Sequence, residues 1–565
     1  MTRTILLIFI LLYNNHLFSQ QNQEPNFRSP LDIPLLLSGT FGELRTNHFH
    51  AGLDFKTQGK SGLKIYAIED GYISRIKISP WGYGKAIYIT HNNGYTSVYA
   101  HLMKYHGAIQ DYVFQQQYIK QSYDIELFPD QNQFLVKKGD IIGFSGNTGS
   151  SFAPHLHFEI RHSYNQNPVN ALQFDFDIID NIPPIIKEIK IYPKSKYTFI
   201  NGENRELTLK VDGIHGNYFI EEPIKVTGPY ALSIQTYDVL NGANNKNGVY
   251  SIDLFVDSTL VYSHEIEEFA FKETRYINCH LDYFEKIENN KKFHRCYTLP
   301  NNRLSIYNYV KNEGIIKIDK NQIIEFFVDD VYGNSSYLNL NIIEDTASVT
   351  RNSQQEIYTE VFPFQIENSY ENEFLSINIP VNSLYDTLYF VYNINMDTNS
   401  IYHAPIHTIH YESTPLHFAY LLKLKSTVSE KLAKKAFICK INEKGKSNYI
   451  GGTYDKGYIT TKTKYFGQYS VSVDTIAPII KGLNIYPSKT MNSSTLKMTI
   501  RDNESGIKSF NGYINDEWIL MEYEPKSNRL THFFDKSLKK GKNNFRLIVE
   551  DQLGNISEYK AVFYR

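Results

Sequence analysis

The 565-residue sequence contains only three cysteines, Cys279, Cys296 and Cys439. Cysteines this few and this scattered cannot form the disulfide framework of a small secreted domain, and they do not have the spacing of a metal site. In an oxidising compartment Cys279 and Cys296 can pair, which leaves Cys439 buried and inert. The chain is therefore not a disulfide scaffold.

An excess of charge of either sign is also absent. The 58 Lys and Arg residues nearly balance the 60 Asp and Glu residues, and the formal net charge is -2. Nucleic-acid binding requires a strong basic field, so nucleic acid is not an expected partner. The length exceeds what one hydrophobic core organises, and several domains are expected.

Long hydrophobic runs are missing except for residues 5–13, which follow Arg3 and precede Asn14-Asn15-His16. A membrane-spanning helix needs roughly 20 apolar residues, whereas the apolar core of a secretory signal peptide needs only about 7–15. We expect a signal peptide over residues 1–20; the alternative is a buried N-terminal helix or strand. No cysteine lies here, which excludes a lipoprotein anchor. The protein is expected to be exported, periplasmic, envelope-associated or secreted, without a transmembrane anchor after signal removal.

Short alternating runs indicate an antiparallel β domain up to about residue 174. Residues 86–90 and 95–99 flank an Asn-Gly pair, which is a strong hairpin signal because both residues tolerate positive φ. Residues 64–68 and 72–76, on either side of Asp70-Gly71, predict another strand pair. The polar, aromatic stretch 105–135 interrupts the pattern and is predicted to form a small helix or a flap.

An internal repeat organises the rest of the chain. Residues 180–187 (DNIPPIIK) recur as residues 474–481 (DTIAPIIK), and the endings at 330–334 and 551–555 share the pattern Asp-x-x-Gly-Asn. The openings suit a linker or edge strand, and the endings suit a turn between strands. Short alternating strands lie between these marks, which is typical of a β-sandwich. The repeat loosely resembles the immunoglobulin-like modules of bacterial surface proteins.

Three motifs in the first domain carry chemistry: His50-x-x-x-Asp54, Tyr99-Ala100-His101-Leu102 and His155-Leu156-His157-Phe158-Glu159. Residues two apart on a strand project to the same face, so His155 and His157 can enter one site. A catalytic zinc site typically offers three protein ligands and one water, with imidazole nitrogen and carboxylate oxygen as normal donors. His50, Asp54 and His157 would complete that set, with His101 and His155 beside the water. Each motif alone is more often structural, but the three in one β domain indicate a site.

Other histidines of the first domain lack such a context and are interpreted as structural: His48, His91, His106 and His162.

Residues 42–174 resemble the lysostaphin-type, or LytM-like, zinc metallopeptidases. The resemblance rests on the three motifs and on these further stretches: Ala67-Ile68-Glu69-Asp70-Gly71, Gly82-Tyr83-Gly84, Val136-Lys137-Lys138-Gly139-Asp140 and Gly146-Asn147-Thr148-Gly149. It implies that His50, Asp54 and His157 bind Zn2+ and that His101 and His155 are the paired catalytic histidines.

Two departures from the family pattern bear on the substrate range. The segment between His101 and Val136 is longer than the minimal family core. Phe152-Ala153 stands where relatives often have glycines, which would narrow the cleft.

The resemblance implies an exported zinc metalloendopeptidase that hydrolyses peptide cross-links of bacterial peptidoglycan. The His-Glu-x-x-His motif of other zinc proteases is absent. One alternative is an envelope scaffold or activator that uses the peptidase fold and β modules for binding partners. Another is a secreted protease or bacteriolysin acting on other targets. Possible envelope protein partners would bind through the β modules, which otherwise serve as spacers.

The predicted fold class is mainly β, with an antiparallel β-sheet peptidase domain followed by two to three β-sandwich (immunoglobulin-like) modules. The predicted division is a signal peptide at 1–20, a LytM-like zinc metallopeptidase domain at 30–175, immunoglobulin-like sandwiches at 180–348 and 473–565, and a β-sandwich of uncertain type at 350–472.

Overall fold

The structure is a computed structural model that describes residues 25–346, 357–396, 401–486, 489–534 and 538–565. The predicted signal peptide at 1–20 lies outside the described residues. Within them, no helix combines the length and the apolar character needed to cross a membrane.

A nine-stranded antiparallel sheet dominates the first part of the chain. Its strands and helices are β1 (Leu37–Gly39), β2 (Leu44–Arg45), β3 (His48–Phe49), β4 (Leu53–Lys56), β5 (Lys64–Tyr66), β6 (Gly71–Ile78), β7 (Lys85–His91), β8 (Tyr95–Ala100), β9 (Lys104–Tyr105), α1 (Gly107–Lys120), β10 (Ile125–Leu127), β11 (Leu135–Val136), β12 (Ile141–Phe144), β13 (His155–His162), β14 (Pro168–Val169) and a 3-10 helix (Ala171–Gln173). The strand order is β1-β4-β13-β8-β7-β6-β10, with β14 beside β13 and β11 beside β6. Strands β5, β12 and β9 form a second small sheet, and β2 pairs with β3.

The hairpin predicted around Asn93-Gly94 is confirmed, because β7 and β8 pair in antiparallel register with Ile87 opposite Tyr99. The strand pair predicted for residues 64–68 and 72–76 is wrong. Strand β5 pairs with β12, and β6 pairs with β7. The backbone after β5 forms hydrogen bonds with other parts of the domain. The Ala67 N–H donates to the Asp140 carbonyl, and the Ile68 N–H donates to the Tyr99 hydroxyl.

The stretch 105–135 contains a helix, as one of its two predicted forms requires. Helix α1 buries Ile109, Val113 and Gln117, and it ends where Gln121 takes a left-handed conformation at φ 45°. The Gln117 side chain donates to the Tyr123 carbonyl at 2.9 Å, which fixes the return of the chain to β10. The insertion is therefore packed onto the sheet.

Two sheets follow over residues 185–344. Their elements are β15 (Ile185–Pro193), β16 (Phe199–Ile200), β17 (Leu207–Lys210), β18 (Asp212–Ile214), β19 (Asn217–Phe219), β20 (Ile224–Thr227), β21 (Tyr230–Tyr237), β22 (Ser251–Val256), β23 (Thr259–Glu265), a 3-10 helix (Thr274–Tyr276), α2 (Ile277–His280), α3 (Tyr283–Glu288), β24 (Phe293–Arg295), β25 (Tyr307–Val310), a 3-10 helix (Asn312–Gly314), β26 (Gln322–Asp329) and β27 (Ser335–Glu344). One sheet has the order β17-β15-β21-β24, and the other runs β16-β20-β27-β26-β22-β23-β25 with β18 and β19 at its side.

The next pair of sheets covers residues 360–473. It contains β28 (Glu360–Phe362), β29 (Asn368–Glu371), β30 (Leu375–Ile379), β31 (Leu388–Phe390), β32 (Tyr392–Asn395), β33 (Ile406–Ile409), β34 (Tyr420–Lys425), a 3-10 helix (Glu430–Lys435), β35 (Ala436–Ile441), β36 (Ser447–Gly451), β37 (Thr453–Asp455), β38 (Tyr458–Thr463) and β39 (Gly467–Val473). Its two five-stranded sheets have the orders β29-β30-β34-β38-β37 and β32-β33-β39-β35-β36, and β28 pairs with β31.

The last pair of sheets contains β40 (Ile479–Gly482), β41 (Lys489–Thr490), β42 (Thr495–Arg501), β43 (Ile507–Ile514), β44 (Glu517–Ile519), β45 (Glu522–Glu524), a 3-10 helix (Pro525–Ser527), β46 (Arg529–Phe533), β47 (Lys542–Asp551) and β48 (Ile556–Tyr564). The sheet orders are β40-β42-β46-β45 and β41-β48-β47-β43-β44. Strands dominate throughout the described residues, so the mainly β fold class is confirmed.

The repeated Asp-x-x-Gly-Asn endings form the same turn in both places. The Asp330 carboxylate accepts the backbone N–H of Asn334 at 2.9 Å and its side-chain amide at 2.7 Å. Asp551 accepts the corresponding groups of Asn555 at 2.8 and 2.7 Å. The prediction of turns at these positions is confirmed.

The cysteine pairing considered from the sequence is wrong, because all three thiols are free and buried. Cys279 lies in the hydrophobic cluster that continues into the first part of the chain, whereas Cys296 lies in the core between the two sheets of residues 185–344. The two thiols instead contact backbone carbonyls of Tyr276 and His294.

Candidate active site and metal centre

Two neighbouring strands and the turn before one of them bring the predicted metal ligands together. Asp54 on β4 lies directly opposite His157 on β13, and His50 lies in the turn between β3 and β4. Residues opposite each other in an antiparallel pair present side chains on the same face. The strands approach closely at Gly52, where an added Cβ would lie 2.2 Å from the Phe158 carbonyl oxygen.

The facing atoms of these residues have the spacing of a metal site. His50 Nε2 lies 3.0 Å from His157 Nδ1 and 3.1 Å from Asp54 Oδ1, and His157 Nδ1 lies 2.9 Å from the same oxygen. Ligand atoms of a tetrahedral zinc ion lie about 3.3 Å apart, because each Zn–N bond is about 2.0–2.1 Å long. The three side chains are buried, and this group can hold a metal ion.

Each ring is oriented through the nitrogen that does not face the other ligands. His50 Nδ1 lies 2.7 Å from the Thr40 carbonyl, and His157 Nε2 lies 2.8 Å from the Glu159 carboxylate. An N–H at each of those atoms leaves a lone pair on His50 Nε2 and His157 Nδ1. Metal-binding histidines are commonly fixed by such outer partners.

Charged neighbours also hold the carboxylate ligand. The Arg45 guanidinium donates to Asp54 Oδ2 at 2.6 Å, which leaves Oδ1 to face the two histidines. Burial raises the pKa of Asp54, but the neighbouring histidines outweigh it and hold that pKa well below its usual range. Asp54 is therefore a carboxylate.

Glu159 is the centre of a buried polar network behind His157. Arg161 Nε donates to Glu159 Oε2 at 2.6 Å, and the Tyr83 hydroxyl donates to the other oxygen while its ring stacks on His157 at 5.1 Å. Burial alone would raise the pKa of Glu159, but Arg161 and His157 lower it to about 2. Burial alone would lower the pKa of His157. The hydrogen bonds of His157 to Asp54 and Glu159 outweigh burial and raise that pKa to about 9 in the metal-free site.

The two predicted catalytic histidines lie beside the ligand cluster. The ring of His101 lies 4.8 Å from that of His155 and 5.9 Å from that of His157. His101 Nδ1 lies 2.8 Å from the Thr148 carbonyl, and His155 Nδ1 lies 2.9 Å from the Ala153 carbonyl. Both rings therefore present Nε2 to the cluster, and His155 Nε2 is 3.4 Å from Asp54 Oδ1.

The backbone at His101 is part of this arrangement. His101 follows β8 in a left-handed conformation with φ 58°, which is uncommon for a residue with a side chain. Burial lowers its pKa to about 3, with His157 and His155 adding to the effect. The ring is held neutral in a fixed position.

The last part of the chain reaches the rim of this site. We call residues 147–153 the rim loop. Lys526 Nζ donates to the carbonyls of Asn147 at 2.6 Å and Ser151 at 2.9 Å. Glu522 forms an ion pair with the buried Lys85 at 2.9 Å. A cavity of about 650 Å3 lies between the two parts, lined by residues that include Met103, Thr148, Leu520 and Phe533.

All five residues predicted for the site thus lie in one cluster. The roles of Arg45, Glu159 and Lys526 were not inferred from the sequence. Glu159 had a usable signal, because it lies two positions after His157 on the same strand and so on the same face. Arg45 and Lys526 had none, since their contacts depend on the tertiary fold.

Comparison with known proteins gives two family matches. Residues 48–126 and 130–171 match Peptidase family M23, and residues 359–474 match a Zu5-like domain. The second match covers the module that the sequence analysis left uncertain in type.

The matching relatives share the first of these regions. The DD-carboxypeptidase/endopeptidase Mpg of Neisseria meningitidis is 35% identical over 129 residues, which are 23% of each chain. Lysostaphin of Staphylococcus simulans is 35% identical over 111 residues, 20% of this chain and 17% of lysostaphin. The peptidoglycan DD-endopeptidase ShyA of Vibrio cholerae is 27% identical over 162 residues, 28% of this chain and 31% of ShyA. Each match therefore spans less than a third of the relative's own length.

A zinc containing peptidase from Vibrio cholerae is among the similar solved structures. It is 28% identical and covers 27% of this chain and 41% of its own, with a TM-score of 0.21. The match to Peptidase family M23 is a match of sequence. Zinc as the cofactor follows from that family and from the ligand group at His50, Asp54 and His157. Residues 48–171 of this chain therefore contain a Peptidase family M23 domain with a residue group that can hold its zinc.

Proposed function

We propose that the chain is an exported zinc endopeptidase that hydrolyses peptide cross-links of bacterial peptidoglycan. The supporting observation is the complete cluster, in which three ligand side chains face one point and two further histidines present Nε2 beside it. The names of two relatives, a DD-carboxypeptidase/endopeptidase and a peptidoglycan DD-endopeptidase, support the substrate class.

The metal would be held by His50 Nε2, Asp54 Oδ1 and His157 Nδ1. When bound, zinc supplies a Lewis acid and lowers the pKa of water from about 15.7 to about 7. Arg45 and Glu159 keep the ligand atoms in place through the bonds described above. Together with the Thr40 carbonyl beside His50 Nδ1, these contacts hold the three ligand atoms in position.

The two remaining histidines would move the protons. Both carry their N–H on Nδ1, so each Nε2 is a lone-pair acceptor. We assign the general base to His155, because its Nε2 faces the ligand cluster at 3.4 Å from Asp54 Oδ1. Its Nε2–H then donates the proton to the leaving amine. His101, neutral because of its burial, orients the attacking water as a hydrogen-bond acceptor.

A test is to incubate the purified chain, without the predicted signal peptide, with peptidoglycan from several bacteria and to identify released fragments by mass spectrometry. Zinc-stripped protein and the His155→Ala variant provide the negative controls. His162→Ala is a matched control, because His162 lies on the same strand but pairs with Glu268 outside the cluster.

The expected result is cleavage at a peptide cross-link that His155→Ala slows by about 10²–10⁴-fold while zinc content stays unchanged. Loss of zinc in that variant would contradict the ligand assignment. Cleavage of glycan strands or stem amides would show that the enzyme cuts a different bond of peptidoglycan from the one proposed. Cleavage of other proteins alone would favour a secreted protease. No release by zinc-loaded protein would favour an envelope scaffold.

The export step and the modules after residue 180 belong to the same proposal. The N-terminal apolar run supports export, and the contacts of Lys526 and Glu522 with the rim support a role of the last module in shaping the cleft. Fractionation of cells that produce the full chain tests export; retention in the cytoplasm with an uncleaved N-terminus would contradict it.

A further inference from the structure

A second histidine cluster lies outside the peptidase site. His264 is on β23, His280 is the last residue of α2, and His294 is on β24. His264 and His280 are fully buried, and His294 is 4% exposed. One nitrogen from each ring lies within 4.8 Å of the other two. Three imidazoles from separate elements thus converge in an interior position.

The geometry of this cluster matches that of the peptidase ligands. His280 Nε2 lies 3.2 Å from His294 Nδ1, close to the spacing of about 3.3 Å across a tetrahedral zinc ion. The ring centroids are 4.9 Å apart for His264 and His280, 5.3 Å for His280 and His294, and 5.8 Å for His264 and His294. In the peptidase site the rings of His50 and His157 are also 4.9 Å apart.

Two of the three rings are oriented by tyrosine hydroxyls that bond to the ring nitrogen facing away from the cluster. His264 Nδ1 bonds to the Tyr262 hydroxyl, and His280 Nδ1 bonds to the Tyr307 hydroxyl, each at 3.1 Å. Asn302 donates to the Tyr307 hydroxyl at 2.7 Å and fixes it in turn. Outer hydrogen bonds of this kind hold metal-binding imidazoles in one orientation.

One nitrogen of the cluster has no partner. His264 Nε2 is buried and has no hydrogen-bond partner among the residues that the structure describes. A buried polar atom without a partner is costly, so native proteins rarely leave one. Burial lowers the pKa of all three histidines, so the rings are neutral and each has one nitrogen with a lone pair. The cluster has the donors of a cation site but no positive charge of its own.

We propose that His264, His280 and His294 bind a second zinc ion. Nitrogen donors favour zinc over magnesium or calcium, which prefer oxygen. Three histidines leave a fourth position of a tetrahedral zinc ion open for a water molecule. None of these ligands belongs to the His50, Asp54 and His157 group of the peptidase site.

This second ion would stabilise the contact between the histidine cluster and the peptidase domain. The His280 ring lies 6.0 Å from that of Phe49, the residue before the ligand His50. The Phe49 N–H donates to the Thr274 hydroxyl at 2.9 Å, and the Asn278 amide donates to Asn47 at 2.9 Å. Ordering His280 therefore orders the turn that carries a peptidase ligand.

The test counts zinc per chain in the full-length protein by elemental mass spectrometry after dialysis against a weak chelator. Wild type is expected to retain two zinc ions, and His264→Gln one. The His50→Ala/His157→Ala variant, which lacks the peptidase ligands, is expected to retain one ion. One zinc in wild type and none in that double variant would overturn the proposal.

A closely matched control is His407→Gln. His407 is fully buried, and its Nδ1 bonds to the Tyr392 hydroxyl at 2.9 Å. Within the described ranges its Nε2 has no hydrogen-bond partner, as in His264, but His407 belongs to no group of three metal-binding side chains. It is expected to keep two zinc ions. Equal zinc loss in His407→Gln and His264→Gln would overturn the assignment.

A second measurement does not depend on the folding of the His264 variant. X-ray absorption at the zinc edge of the His50→Ala/His157→Ala protein is expected to show three imidazole ligands. A zinc ion without imidazole ligands in that protein would overturn the proposal. Failure of the peptidase reaction alone would leave both readouts unchanged, so the two proposals are tested separately.

Discussion

Glu159 offers a sharp test of how the peptidase metal is held, because its carboxylate binds His157 Nε2 at 2.8 Å in a fully buried position. The Glu159→Gln variant keeps the shape but removes the charge. Loss of an outer partner of a metal ligand typically weakens metal binding about 10–100-fold, or about 1.4–2.7 kcal/mol. We expect a zinc dissociation constant raised by that factor.

The same substitution leaves the buried Arg161 without its counter-charge. Removing one partner of a buried ion pair costs about 3–5 kcal/mol. The free energy of unfolding of the metal-free protein should therefore decrease by about that amount. Stability and zinc affinity therefore have to be measured separately. Competition with a chelating dye gives the zinc affinity, and thermal unfolding without metal gives the stability of the fold.

Glu126→Gln is the matched control, since Glu126 pairs with Arg75 in an exposed position. Exposed pairs contribute about 0–1 kcal/mol, and we expect zinc affinity to stay unchanged in this variant. The reasoning is refuted if folded Glu159→Gln binds zinc as tightly as wild type. It is equally refuted if Glu126→Gln weakens zinc binding to the same extent.

Three further variants test other parts of the structure. Lys526→Met removes two hydrogen bonds to the rim loop, and hydrogen exchange in residues 147–153 should rise several-fold, with Lys508→Met in an exposed pair as the control. Burial and two neighbouring aspartates raise the pKa of Asp238 to about 8. The unfolded chain releases this proton near pH 4, so stability falls by at most about 1.4 kcal/mol per pH unit between pH 4 and 8, and Asp238→Asn should remove this slope in unfolding experiments. Phe152 is fully exposed in the rim loop, and Phe152→Ser should raise KM for peptidoglycan several-fold while changing stability by less than about 0.5 kcal/mol.

Each of these expectations has an opposite outcome. Unchanged exchange in the rim loop of Lys526→Met would show that the contact does not order the loop. Parallel pH curves for wild type and Asp238→Asn would show that this aspartate ionises normally. An unchanged KM in Phe152→Ser would place the substrate elsewhere.

The positions of the five site residues could be predicted because their signals are local or familial. The His-x-His pattern gives two side chains on one strand face, and the resemblance adds the residues from distant strands. The hairpin at Asn93-Gly94 was predictable for the same reason, since turn chemistry acts within a few residues.

Contacts that depend on tertiary structure were out of reach. Strand β5 joins β12, about 75 residues away, because Ala67 and Ile68 bond to other parts of the fold. Lys526 reaches the rim loop across more than 370 residues. The cluster of His264, His280 and His294 spans 31 residues that change from strand to helix and back to strand, so no single period links its members.

The hydrophobic cluster of the peptidase domain does not stop at the domain's end. It continues from Phe41 and Phe49 through Phe269 and Tyr276, and it reaches Leu520 in the last module. Lys85, which is 7% exposed, has its carboxylate partner in that same module. A fragment ending near residue 175 would expose apolar surface and leave Lys85 without its carboxylate partner. The segment up to residue 175 is thus unsuited to transfer into another protein by itself. A fusion protein that uses it would also need the residues of the later modules that complete its hydrophobic core.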